Sequence, residues 1–264
     1  MAQFVSQPTP DEILPECCRT GFLFSGTPTG THQSFGDIDV YVAKGADCCS
    51  QGKEDKAIVI FTDIFGNKFR NSQLMADAYA AGTGITVYIP DLMAGDAIEF
   101  GSFSASKDPM KEIVGPFISR NGDSKSLPLA EKFLDTLRAT TPVRKIAGIG
   151  FCWGARYATL AAGNGKLDFL AMAHPSRLEV PQIFESIKVP TLFICAETDT
   201  QFPYPTAVEA AKEVYVKNNI PHEIHVYLGV SHGFNIRGDE SNPVHKKAKI
   251  DATAAAIKFF QSHL

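Results

Sequence analysis

The chain has 264 residues, 44% hydrophobic and 20% charged, with a formal net charge of −4. That is a globular composition with enough apolar material for a large core. The mild negative charge and the lack of any basic run exclude nucleic-acid binding as a first expectation. No apolar run reaches the ~18 residues of a membrane span, and the start, Met1-Ala2-Gln3-Phe4, has no signal-peptide pattern.

The first 35 residues, rich in Gly, Pro, Ser and Thr, read as an irregular lead-in. Phe35 to Lys44 alternates apolar and polar residues as a half-buried strand does, and Gly45 to Asp55 is a turn region. Lys56 to Asp63 (KAIVIFTD) is a nearly continuous apolar run, the kind buried on both faces of a parallel sheet. A helix over Asn71 to Ala81 and a strand over Ile85 to Asp91 follow. Residues 92 to 126 suit an excursion over one end of the sheet, and Leu127 to Ala139 reads as a helix. Lys145 to Gly150 is then a strand and Trp153 to Ala162 a helix. Three further strands are expected at DFLAMAHP, VPTLFICAE and His222 to Leu228, with helices over Tyr204 to Lys217 and His245 to His263. This rhythm predicts one α/β domain with a mostly parallel sheet covered on both faces.

Ligands of such sheets gather at the carboxyl ends of the strands. Gly150-Phe151-Cys152-Trp153-Gly154 lies at one of them and has the form of a nucleophile elbow with sulfur in place of the usual serine oxygen. The turn places Cys152 at a helix N-terminus, where free N–H groups and the helix dipole favour a thiolate. A thiol nucleophile needs a base, and the base an orienting acid. In the order nucleophile, acid, histidine, Asp199 and His232 each follow a predicted strand. Glu197 competes with Asp199, and His174, at a strand end, is the rival histidine, but it precedes Asp199. Of the other histidines, His222 and His225 fall on opposite faces of a strand, His245 and His263 on the solvent face of the terminal helix, and His32 in the lead-in. An oxyanion hole is expected from the backbone N–H groups of Trp153 and Ile64, with Gly66 permitting close approach. Asp63, beside Ile64, is a carboxylate at a strand end that either caps the structure or serves catalysis.

The six cysteines, without a secretory signal, are expected as reduced thiols. The adjacent pairs Cys17-Cys18 and Cys48-Cys49 do not have zinc-ligand spacing. Neither a metal nor a cofactor is expected. The cytosol is the expected compartment, although Ser262-His263-Leu264 is a variant of the peroxisomal Ser-Lys-Leu address.

From about Phe35 onward the sequence resembles the dienelactone hydrolase family, cysteine hydrolases of the α/β-hydrolase fold, and its N-terminal stretch resembles eukaryotic, especially fungal, members. The resemblance rests on the elbow around Cys152, on Ala196-Glu197-Thr198-Asp199, on Ser231-His232-Gly233-Phe234 and on Asp63-Ile64-Phe65-Gly66. It implies a small lactone or ester as substrate, hydrolysed through a Cys152-Asp199-His232 triad and a thioester, in a monomer or homodimer. The bacterial enzymes carry glutamate at the Asp63 position, as partner of the resting thiol, and substrate-gripping arginines. Here Leu92-Met93-Ala94-Gly95-Asp96 has no arginine. Phe234 is a candidate substrate contact, and Arg237, after it, and Arg156 are the remaining candidates for a substrate charge, with a surface ion pair as the other reading of each arginine. A hydrolase-fold protein guiding a non-hydrolytic step of secondary metabolism, or only binding a ligand there, is the competing function.

Overall fold

In a computed structural model of the protein, residues 21–45 and 53–264 are described. They build an eight-stranded sheet in the order β1-β2-β4-β3-β5-β6-β7-β8. The strands are β1 (Thr31–Phe35), β2 (Ile38–Ala43), β3 (Lys56–Phe61), β4 (Val87–Pro90), β5 (Lys145–Phe151), β6 (Phe169–Ala173), β7 (Thr191–Thr198) and β8 (His222–Ser231). Neighbours from β4 to β8 run parallel, while β1 and β2 add antiparallel pairs at one edge. The helices are α1 (Arg70–Thr83), α2 (Gly115–Arg120), α3 (Asp123–Thr140), α4 (Trp153–Gly163), α5 (Thr206–Lys217), α6 (Phe234–Arg237) and α7 (Pro243–His263). Among the described residues, no helix is long and apolar enough to cross a membrane.

The core follows from the apolar runs. Ala57 to Phe61 on β3 and Ile146, Ala147 and Ile149 on β5 are fully buried, because helices cover both faces of these central strands. The lead-in is more ordered than expected. Thr31–Phe35 pairs with β2 across the two-residue Gly36-Asp37 turn, in which Gly36 has φ 65°. Four of the five β1 side chains are exposed, so no apolar alternation marks the strand in the sequence. Helix α3 starts four residues before its expected Leu127, at Asp123, and carries Pro128 inside it.

The excursion over residues 92–122 holds a 3-10 turn (Ser102–Ala105), a π turn (Met110–Val114) and α2. Phe100 and Phe103 pack on Phe65, with ring centroids 5.2 and 5.9 Å away, and Phe100 stacks on Phe69 at 5.0 Å. The Ile98 N–H donates to Ile64 O at 2.9 Å. The excursion therefore braces the loop after β3. Cys17-Cys18 and Cys48-Cys49 lie outside the described residues.

Candidate active site

The sheet register decides which strand ends meet. Phe61 pairs with Gly150, so the Asp63 loop lies beside Cys152. On the other side Thr198 pairs with Ser231, past a register shift, which makes Asp199 and His232 neighbours.

Cys152 has φ 52° and ψ −116°, a strained geometry for a residue with a Cβ. The flanking glycines make the turn possible. A Cβ on Gly150 would sit 2.3 Å from Ala155 Cα, and one on Gly154 would sit 2.2 Å from Phe61 O. Both glycines therefore relieve crowding of α4's first turn against β5 and β3.

Three side chains converge. His232 Nε2 is 3.0 Å from Cys152 Sγ, and the His232 Nδ1–H donates to Asp199 Oδ2 at 2.9 Å. Asp199 is fixed in turn by the Gln201 N–H, which donates to Oδ1 at 2.8 Å. All three residues are buried. Burial alone would raise the Cys152 ionisation, but the charge and hydrogen bond of His232 outweigh it and hold the thiol below its usual range. Burial would lower His232, yet Asp199 and the sulfur push it up to about 10. The arrangement favours a thiolate–imidazolium pair. Cys195, also buried, is pushed up instead, by burial and by the Asp199 charge.

The backbone N–H groups of Ile64 and Trp153 have no acceptor among the described residues, as a pair available to an oxyanion must. Asp63 is fully buried and does not partner the thiol. Its Oδ2 accepts from Arg237 Nη1 at 2.7 Å and its Oδ1 from the Phe65 N–H at 3.2 Å. Burial pushes the Asp63 carboxyl up, against the pull of Arg237 and of that N–H.

Three sequence candidates for substrate contact are otherwise engaged. Arg237 is held by Asp63 and lies over the Phe65 ring at 5.8 Å. Phe234 is taken up by packing on Tyr227 and His174. Arg156 forks onto Asp123, with Nε at 2.8 Å and Nη2 at 2.6 Å, and also reaches Glu179 and Arg177 O, the ion-pair arrangement that is the other reading of this residue. Among the competitors, Glu197 is exposed and accepts from the Gly229 N–H at 2.8 Å. His32 pairs with Asp39 and His225 with Glu223, while the His222 Nδ1–H donates to Ile220 O. His245 and His263, expected on a solvent face, are half-buried, His263 against Phe169 and Phe259.

His174 is fully buried, neither ring nitrogen has a hydrogen-bond partner among the described residues, and its ring stands edge-on to His232 at 5.2 Å. Burial drives its ionisation well below the usual histidine value, so it is neutral. Ser176, which the sequence reading passed over, has its Oγ 3.7 Å from Cys152 Sγ. Its only signal in the sequence was its place two residues past a strand end already marked by His174. No three His, Cys, Asp or Glu side chains among the described residues converge as metal ligands would.

Comparison with known proteins agrees with this architecture. Residues 38–264 match the model of the dienelactone hydrolase family. Hydrolase tropI of Talaromyces stipitatus is 31% identical over 251 residues, covering 94% of this chain and 96% of that protein. Dienlactone hydrolase 1 of Gibberella moniliformis is 30% identical, with 88% of this chain and 87% of that protein covered. The solved structure of Thermogutta terrifontis esterase 2 superposes with a TM-score of 0.63 at 14% identity, covering 89% of this chain and 96% of that one, a likeness of fold. The chain therefore belongs to the dienelactone hydrolase family and is a hydrolase of the α/β-hydrolase fold.

Proposed function

We propose that the protein, as a single α/β-hydrolase domain, cleaves a lactone or small carboxylic ester with Cys152 as nucleophile, His232 as acid and base, and Asp199 as the group that orients His232. The observation that carries this reading is the position of His232, 3.0 Å from the sulfur on one side and 2.9 Å from the carboxylate on the other. The thiolate adds to the carbonyl carbon, and the carbonyl electrons move onto oxygen, where the Ile64 and Trp153 N–H groups stabilise the charge. Collapse breaks the C–O bond, and the leaving alkoxide takes its proton from His232, leaving a thioester. His232 then removes a proton from water, hydroxide adds to the thioester, and the C–S bond breaks to release the acid and restore the thiolate. Every step uses groups of the chain and water. The names of four fungal relatives, two hydrolases and two dienlactone hydrolases, support a small-molecule substrate.

The test is turnover of p-nitrophenyl acetate and a panel of lactones by wild type and Cys152→Ala. Loss of turnover in a folded Cys152→Ala protein is expected, and full activity in that variant sinks the mechanism. A wild type that binds the panel without hydrolysing any member would favour a non-hydrolytic role.

A further inference from the structure

The turn after β6, residues 174–177, is bonded to the elbow by its backbone. The Cys152 N–H donates to Ala173 O at 3.2 Å, and the Ser176 N–H donates to Cys152 O at 3.1 Å. His174 and Arg177 hold left-handed backbone, φ 38° and 58°, so the chain doubles back at this point. The result is that Ser176, 6% exposed, presents Oγ to Cys152 Sγ at 3.7 Å, a hydrogen-bond separation for an acceptor as large as sulfur. That hydroxyl has no other partner among the described residues. His232 already donates to the sulfur, and a thiolate has lone pairs for a second donor.

We infer that Ser176 is a further catalytic residue, whose Oγ–H donates to the Cys152 thiolate as a second donor beside His232. The inference rests on Cys152 acting as the nucleophile. A donor to the sulfur acts differently in the two halves of the reaction. During acylation the sulfur loses its negative charge to the carbonyl oxygen, so the hydrogen bond weakens and gives the attack no help. During deacylation the electron pair of the breaking C–S bond returns to sulfur, and the Ser176 hydrogen bond strengthens as it does. The hydroxyl keeps its own proton throughout. His174, from the same turn, packs edge-on against the His232 ring.

The experiment is a titration of thiolate absorbance near 240 nm, taken as the difference from Cys152→Ala, in wild type, Ser176→Ala and Ser176→Thr. Loss of the hydroxyl should cut the thiolate fraction about tenfold at a given pH, a shift of about one pH unit upward. The threonine hydroxyl should restore it. Stopped-flow of p-nitrophenyl acetate should show deacylation slowed about tenfold in Ser176→Ala, with the acylation burst, scaled to thiolate, not slowed. Ser176→Gly is the second hydroxyl-free variant, to be used if alanine compromises folding, and it must shift the same way. A titration of either hydroxyl-free variant that superposes on wild type overturns the inference and leaves the nucleophile reading intact. The absence of any Cys152-dependent thiolate signal in wild type overturns that reading itself.

Discussion

Arg237 and Asp63 form an ion pair 2.7 Å long that is almost wholly withdrawn from solvent, between α6 and the loop after β3. Attraction across such a pair offsets desolvation only while both partners are present. Asp63→Asn or Arg237→Met alone should therefore cost about 3–5 kcal/mol in urea unfolding. The double variant should cost clearly less than the sum of the two, because neither charge is then left alone. Strictly additive costs would show that the two side chains do not act as a pair.

Gly154 is the tightest point of the elbow. A methyl group there would meet Phe61 O at 2.2 Å and Thr62 O at 2.3 Å, both backbone atoms at the end of a central strand that cannot move aside. Gly154→Ala should destabilise by about 3 kcal/mol or more and shift Cys152 out of line with His232. Gly165→Ala is the control. Gly165 has φ 72° but nothing within 4 Å, so only backbone strain of about 1 kcal/mol is expected. A loss in Gly154→Ala no larger than that in Gly165→Ala would show that the contact with Phe61 O and Thr62 O does not carry the cost.

The features of the fold that were legible in the sequence are those that recur locally. Buried parallel strands such as KAIVIF show as apolar runs, and the elbow shows as two glycines around Cys152 between a strand and a helix. Asp199 and His232 were reachable because each follows directly on a strand, and the register of β7 and β8 does the rest. What stayed hidden depends on partners far along the chain. Nothing near Asp63 announces that Arg237, 174 residues away, will take its carboxylate. Ser176 meets Cys152 only because two left-handed residues turn the chain back, and neither of them is glycine. The β1 strand is held by main-chain bonds while its side chains face solvent, so side-chain pattern could not report it.

Arg156 is fixed by Asp123 and Glu179, whose side chains are 43% and 54% exposed, so each ion pair is worth about 1 kcal/mol or less. Arg156→Met should lower the melting temperature by a few degrees, as about 1–2 kcal/mol does in a chain of this size. The KM for lactones and p-nitrophenyl esters should stay as in wild type. A tenfold rise in KM with kcat unchanged would return Arg156 to the substrate site.

The pH profile follows from the two shifted groups. The reactive thiolate–imidazolium pair exists between the ionisation of Cys152, depressed below the usual 9.0, and that of His232, raised to about 10. Alkylation of Cys152 by iodoacetamide should reach its plateau at lower pH than that of an ordinary thiol, and ester hydrolysis should fall as pH rises through about 10 and His232 loses its proton. The two protons belong to one coupled pair, so these are limits of the pair. Stability carries the same signs. The raised His232 contributes stabilisation that is complete below its unfolded value of 6.5 and is lost as pH rises through about 10. The depressed Cys152 does the reverse: its contribution is present above 9.0 and is lost as pH falls through the folded value. Asp199→Asn removes the carboxylate that raises His232 and so isolates the histidine. Its melting temperature should lie furthest below wild type near pH 6.5 and approach it towards pH 10. A gap that stays constant over that range would mean that Asp199 holds the loop and leaves the histidine's charge unaffected.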